Sequence, residues 1–271
     1  MCASARSRTA PAAPAAAQAS RLQLLSCNIL AGASVRRYRE YVTQSWKQVL
    51  PLRGKLSNLD QFAKLLADFD LVGLQEADAG SLRSGFVNQT QYLAEAAGFD
   101  YWSHQPNRKI AQFAASSNGV LTRFKPNEVL DYPLPGRIPG RGALWVRFGR
   151  GKHRLVVVIA HLALGPAARR KQFDFIAELI GNEAHVILMG DLNSSVNSQE
   201  LKSLLRCTDL VPPTQPSTPT YPSWRPRRAI DHVLVSSRLQ LERLWTLPHL
   251  VSDHLPLAAT VRLPEQVHLN H

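Results

Sequence analysis

From residue 21 onward, apolar and polar positions fall into short blocks that follow one of two periods. The apolar runs Leu22 to Leu30 and Leu71 to Leu74 predict buried strands, and between them Leu56, Leu59, Phe62, Ala63, Leu66 and Phe69 recur at helical spacing. A second helix is predicted over Gln89 to Ala97. Strands are then predicted over Ser117 to Arg123, Glu128 to Tyr132, Gly142 to Phe148 and His153 to Leu162, with connections short enough to imply antiparallel pairing. The pattern continues as a helix over Ala167 to Ile180, a strand over His185 to Gly190 and a helix over Gln199 to Leu205. Strands over Ile230 to Val235, Leu239 to Leu247 and Pro256 to Leu263 complete it. Both halves mix helices with strands, and no linker or charge block divides them. The expected fold class is therefore α/β: one domain over residues 21–264, a four-layered α/β/β/α sandwich of two packed mixed sheets with helices outside.

Three segments escape this periodicity. Residues 1–20 are mostly Ala, Ser and Pro with Arg6 and Arg8, and they lack the apolar stretch of a secretory signal, so they read as a disordered tail. A transit peptide is the alternative, although Pro11 and Pro14 oppose an amphipathic helix there. Residues 265–271 read as a short C-terminal tail. The stretch VPPTQPSTPTYPSWRPRR at 211–228 carries six prolines and predicts a long loop. An aromatic side chain flanked by guanidinium groups can hold a phosphate and stack on its organic substituent, which makes Trp224 and Arg225 candidate substrate-binding residues. The competing reading is a surface loop pinned by one buried tryptophan.

Composition narrows the functional classes. With 45% apolar residues the 271-residue chain is no polyelectrolyte, and no run approaches the length of a membrane-spanning helix. Thirty-two Lys and Arg against twenty Asp and Glu give a net charge of +12, of which only Arg6 and Arg8 fall in the tail. Such a field attracts anionic partners: nucleic acid, an acidic membrane surface or phosphorylated small molecules. Cys2, Cys27 and Cys207 are odd in number and lack metal-ligand spacing, so neither a disulfide framework nor a zinc site is expected. A reducing, cytoplasmic location and a monomeric state are the matching expectations.

The candidate chemistry collects at the ends of predicted strands. Apolar runs stop at Asn28, Glu76, His161, and Asp191 with Asn193, whereas two others begin with Asp231-His232 and with Ser252-Asp253-His254. If the second group runs opposite to the first, one rim holds Asn28, Glu76, His161, Asp191, Asn193, Asp231, Asp253 and His254. Taken singly, each has an ordinary explanation: a strand-end hydrogen-bonder, an Asp/Asn turn, a core histidine. Taken together, four carboxylates on one rim repel one another unless a cation is present. Oxygen donors without thiolates suit magnesium, with manganese as the alternative, and imply metal-assisted attack of water on phosphorus.

Leu74-Gln75-Glu76, Ser117-Asn118-Gly119-Val120, Ala160-His161, Met189-Gly190-Asp191-Leu192-Asn193, Ile230-Asp231-His232 and Ser252-Asp253-His254-Leu255-Pro256 closely resemble the motifs of the endonuclease/exonuclease/phosphatase superfamily. That superfamily includes DNase I, AP endonucleases, inositol polyphosphate 5-phosphatases and neutral sphingomyelinases. The resemblance implies a DNase I-like sandwich and a metal-dependent phosphoesterase. It implies that Glu76, Asn28 and Asp253 serve the metal, that Asp191 positions or activates water, and that Asn193 donates to a non-bridging oxygen. Asp231 would orient the catalytic His254, and His161 would protonate the leaving oxygen or bind phosphate. His161 stands where AP endonucleases have a tyrosine. DNase I pairs this histidine with a glutamate, but the corresponding stretch, Ser103-His104-Gln105-Pro106, carries His104 instead. Arg141 lies where the family can place a phosphate-facing arginine. A phosphodiesterase of the nuclease type leads, with a phospholipid or small-molecule phosphoesterase as the alternative enzyme. A non-catalytic nucleic-acid or membrane-surface binding module is the alternative from another class, and its signature, lost catalytic carboxylates, is missing from the sequence.

Overall fold

The computed structural model of the chain describes residues 20–30, 53–81, 84, 86–110, 114–136, 140–213, 218–249 and 252–271. The stretch 1–19 of the expected N-terminal tail lies outside the described residues. The first half contributes β1 (Arg21–Asn28), α1 (Arg53–Leu66), β2 (Leu71–Asp78), α2 (Gln89–Ala97), β3 (Tyr101–Ile110), β4 (Ala114–Thr122), β5 (Glu128–Pro133) and β6 (Gly142–Phe148). The second contributes β7 (Leu155–His161), α3 (Pro166–Ile180), β8 (Val186–Asp191), α4 (Gln199–Cys207), β9 (Leu210–Val211), β10 (Asp231–Ser236), β11 (Gln240–Thr246) and β12 (Leu257–Arg262). The helix ends follow local chemistry. Asn88 and Ser198 cap α2 and α4 by accepting from the backbone N–H of Gln91 and Leu201, and Gly98 ends α2 in the left-handed conformation.

Two six-stranded mixed sheets result, in the orders β11-β12-β1-β2-β4-β3 and β5-β6-β7-β8-β10-β9. Strand alternation sorts the apolar side chains into three cores. Leu22 and Leu24 of β1 meet Val157 and Ile159 of β7 between the sheets. Leu25 and Cys27 face Phe62 of α1 and Leu93 of α2, while Val156 and Val158 face Phe173 of α3 and Leu201 of α4. Three apolar interfaces require four layers, so the expected α/β/β/α sandwich of the DNase I-like type is present. Among the described residues, no helix is long and apolar enough to cross a membrane.

Differences from the expected elements have physical causes, apart from the two-residue strand β9, which is too short to show a period. Strand β3 was missing from the pattern because YWSHQPNRKI is a sheet-edge strand with one neighbour, β4, and carries no apolar run. Residues 265–271, expected as a tail, pack against the domain: Val267 is buried in the inter-sheet core, Lys125 N–H donates to the Asn270 carbonyl at 2.7 Å, and His271 meets the Phe124 ring. Val267 and Leu269 alternate with polar neighbours, which lets this short segment turn both apolar side chains to the inter-sheet core.

One backbone position beside the candidate site tolerates only glycine. At Gly190 φ is +140°, and a Cβ there would sit 1.9 Å from the Ala160 carbonyl oxygen of the neighbouring strand. Gly190→Ala is expected to destabilise the fold by about 3 kcal/mol or more. That corresponds to a fall in Tm of roughly 10 °C, readable by thermal denaturation. An unchanged Tm would show that β7 and β8 can separate to admit the methyl group.

Candidate active site

Strand direction brings the predicted chemistry to one edge. Strands β1 and β2 run parallel, and β12 runs antiparallel to β1 with Leu257 opposite Ser26, so Ser252 to His254 stand beside the end of β1. In the other sheet β7 and β8 run parallel with His161 opposite Asp191, and antiparallel β10 places Asp231 opposite Asp191. Side-chain parity then aims these groups into the gap between the sheets. His161 continues the inward series Leu155, Val157, Ile159; Asp191 continues Ile187 and Met189; Asp231 precedes Val233 and Val235. His232 has the opposite parity and is buried outside this group, with Nε2 2.6 Å from the Ser194 carbonyl oxygen.

Glu76 reaches the site by breaking the alternation. On β2, Leu74 and Ala77 both belong to the helix-side core although three positions separate them, which uninterrupted alternation forbids. The pairing with β4 shows the reason: Leu74 opposes Gly119 and Ala77 opposes Ser117, so Gln75 and Glu76 together face Asn118 in a bulge. Ser117 Oγ closes the bulge by donating to the Ala77 carbonyl, and Glu76 itself adopts φ +56°. This left-handed conformation is costly for a residue with a Cβ, and here it re-aims a carboxylate that regular pleating would have pointed at the helices. Asn193 is also left-handed, at φ +49°. Its backbone N–H donates to Asp191 Oδ1 at 3.0 Å, and its side-chain amide donates to the Leu162 carbonyl at 2.9 Å.

Asp191 is the hub. Its Oδ2 accepts from Asn28 Nδ2 at 3.3 Å and lies 3.4 Å from His161 Nε2 and 3.8 Å from His254 Nε2. Glu76 stands 3.8 Å from the same His161 nitrogen. His254 Nδ1 donates to Asp231 Oδ2 at 2.8 Å, and Ser252 Oγ donates to the Asn28 carbonyl, tying the His254 loop to β1. Burial by itself would raise the Asp191 carboxyl, but the charge of His254 and the hydrogen bond from His161 hold it well below the ordinary carboxylate range. Burial would likewise lower the His254 imidazole, and Asp231 and Asp191 instead push it up to about 10. His254 is thus an imidazolium at neutral pH. Burial pushes Asp253 up to about 6, with His254 opposing and the nearby negative charges of Glu76 and Asp191 adding to the rise.

That crowding bears on the cation. The donor atoms of Asp191, Asp231 and His254 lie within 4.8 Å of one another, a spacing compatible with a metal. However, His254 Nδ1–H already points at Asp231 Oδ2, at 2.8 Å. Glu76 and Asp253 fit a hard divalent cation better, being carboxylates whose mutual repulsion a cation relieves, and the Asn28 amide oxygen, which also accepts from Leu30 N–H at 3.1 Å, is a further oxygen donor.

The remaining candidates divide. Arg141 lies immediately before β6, and its guanidinium rests against the His161 ring, 2.7 Å from Nδ1. Trp224 is half-buried and Arg225 exposed, on a turn whose Ser223 N–H donates to the Asp253 carbonyl at 2.7 Å. His104 stacks on Trp102 at a centroid distance of 6.0 Å and approaches Asn88 at 3.4 Å. Arg169, in a basic stretch ahead of the first buried turn of α3, is committed to Glu200 at 2.6 Å and to the Leu164 carbonyl. Arg36, Arg37, Tyr38 and Arg39 lie outside the described residues. Two contributors were not assigned from the sequence. Asn118, quoted in the Ser117-Asn118-Gly119-Val120 motif without a role, bridges the sheets by donating to the Gly142 carbonyl at 2.8 Å. Thr220 donates to Asp231 from within the proline-rich stretch, where no periodicity marks it.

Comparison with known proteins agrees with the fold. An endonuclease/exonuclease/phosphatase from Beutenbergia cavernae DSM 12333 superposes with a TM-score of 0.68 at 19% identity, covering 90% of this chain and 72% of that one. An endonuclease/exonuclease/phosphatase family protein from Bacteroides thetaiotaomicron gives 0.67 at 18% identity, covering 94% and 100%. A mannosyl-6-phosphatase from Bacteroides thetaiotaomicron VPI-5482 gives 0.62 at 17% identity, covering 89% and 99%. A search of curated protein sequences found no significant match. The sequence profile of the Endonuclease/Exonuclease/phosphatase family matches residues 25–254, and the chain belongs to that family of phosphoester hydrolases.

Proposed function

We propose that the chain is a divalent-metal-dependent phosphodiesterase that hydrolyses its substrate by attack of water, with nucleic acid as the leading substrate. The observation that carries this reading is Asp191: a buried carboxylate kept ionised between two histidines, beside the crowded pair Glu76 and Asp253. Glu76, Asp253 and Asn28 would hold magnesium or manganese, which supplies charge neutralisation for the substrate phosphate. Asp191, ionised throughout the neutral range, positions the attacking water by accepting its hydrogen bond. His254 meets the growing negative charge as an imidazolium held by Asp231. Asn193 donates an amide N–H to a non-bridging oxygen, and His161 serves the leaving oxygen.

The net charge of +12 supports a polyanionic substrate. A second reading is a phosphomonoester, because the Arg141 guanidinium against His161 adds a cation suited to a dianionic terminal phosphate. The mannosyl-6-phosphatase that shares the fold is named for a monoester. Purified protein with magnesium, offered plasmid DNA, RNA, sphingomyelin, bis-p-nitrophenyl phosphate and p-nitrophenyl phosphate, separates these readings. Turnover of DNA or RNA that collapses with rising salt is the expected result. Chelator-insensitive turnover, or none on any phosphoester, would overturn the proposal.

A further inference from the structure

We infer that Thr220 is a positioning residue for this hydrolysis, acting through Asp231 on His254; the inference rests on the hydrolytic reading proposed above. Thr220 belongs to the proline-rich stretch that no predicted element absorbed, and its side chain is fully buried. Its hydroxyl donates to Asp231 Oδ2, the same oxygen that accepts from His254 Nδ1. The Arg228 carbonyl lies 3.5 Å from that hydroxyl, so the single hydroxyl proton goes to the nearer, charged acceptor.

The backbone at this position is held from two sides. Thr220 N–H donates to the Arg228 carbonyl at 2.9 Å, and the Thr220 carbonyl accepts from Leu255 N–H, one residue beyond His254, at 2.9 Å. The next side chain, Tyr221, places its ring 4.9 Å from the His254 imidazole, and the Arg228 guanidinium covers that ring at 5.7 Å. Both the carboxylate and the imidazole therefore rest on adjacent residues of one turn. A carboxylate that accepts two hydrogen bonds on one oxygen has little rotational freedom, so the hydroxyl fixes the direction from which Asp231 addresses His254.

The test uses the full chain with Thr220→Val, which removes the hydroxyl while keeping the shape, Thr220→Ala as a second variant should valine disturb the fold, and Thr220→Ser, which restores the donor. With magnesium and bis-p-nitrophenyl phosphate, Thr220→Val is expected to lower kcat by about 10–100-fold, the loss typical of removing a partner that orients a functional group. KM should stay within about twofold, and Thr220→Ser should return kcat to within about threefold of the wild type. In an Asp231→Ala background, Thr220→Val should cost nothing further, whereas a merely structural threonine would lower kcat there too, overturning the inference. An independent arm needs no turnover. Proton NMR of the folded protein should show a low-field His254 Nδ1–H signal, absent from His254→Ala, displaced in Thr220→Val and retained in Thr220→Ser. A signal unmoved in Thr220→Val overturns the inference even if the wild type hydrolyses nothing, in which case the proposed function fails separately.

Discussion

Asp191→Asn is expected to lower kcat on a phosphodiester by about 1,000-fold or more, equivalent to about 4 kcal/mol on the barrier. The substitution keeps the shape and leaves an oxygen to accept from Asn193 N–H. What it removes is the second, negatively charged oxygen, which lies against Asn28, His161 and His254. An amide nitrogen there presents protons to three groups that themselves offer protons, and it cannot accept a hydrogen bond from water. The fold should survive, because His254 keeps its hydrogen bond to Asp231. Circular dichroism close to wild type together with a lost kcat is the expected pair of results. A variant within about tenfold of wild-type kcat would remove Asp191 from the chemistry.

Chelation is expected to abolish turnover, and restoring magnesium should stabilise the protein in a pH-dependent way. In the folded protein the Asp253 carboxyl is raised to about 6, against an ordinary value of about 3.9. Because this shift is upward, the group favours folding when protonated. Its contribution is full below about pH 4 and is lost as pH climbs from there through 6, a total of about 3 kcal/mol. A cation relieves that penalty, and it competes with the proton for the same oxygens. Saturating magnesium should therefore raise Tm by roughly 5–10 °C at pH 7.5 and much less at pH 5. Differential scanning fluorimetry at the two pH values reads this directly, with Glu76→Gln and Asp253→Asn as controls that should blunt the response. Equal stabilisation at both pH values, or in both variants, would place the cation elsewhere.

Most of the layer structure was legible in the chain. The apolar runs of β1, β7 and β8 are long enough to name buried strands, and Phe62, Ala63 and Leu66 keep helical spacing over one face of α1. The edge strand β3 was not legible, because YWSHQPNRKI carries no apolar run. The site was legible as strand ends: Asn28, His161 and Asp191 each close an apolar series, and Asp231 opens one. The role of the 211–228 stretch was hidden. Prolines signal a loop, but nothing in their spacing says that Thr220 and Tyr221 would meet Asp231 and His254.

The sequence by itself determined which chemical groups exist and which strand end carries each. Tertiary structure decided which groups touch. The parity of β2 would have turned Glu76 toward the helices, and only the extra residue between Leu74 and Ala77, with its strained φ, turns it to His161. Alternation along one strand is a local property that a sequence records directly. A bulge, a cross-sheet bond such as Asn28 to Asp191 and a turn folded under a histidine depend on chain segments far apart in sequence, whose approach is fixed only once the cores have packed.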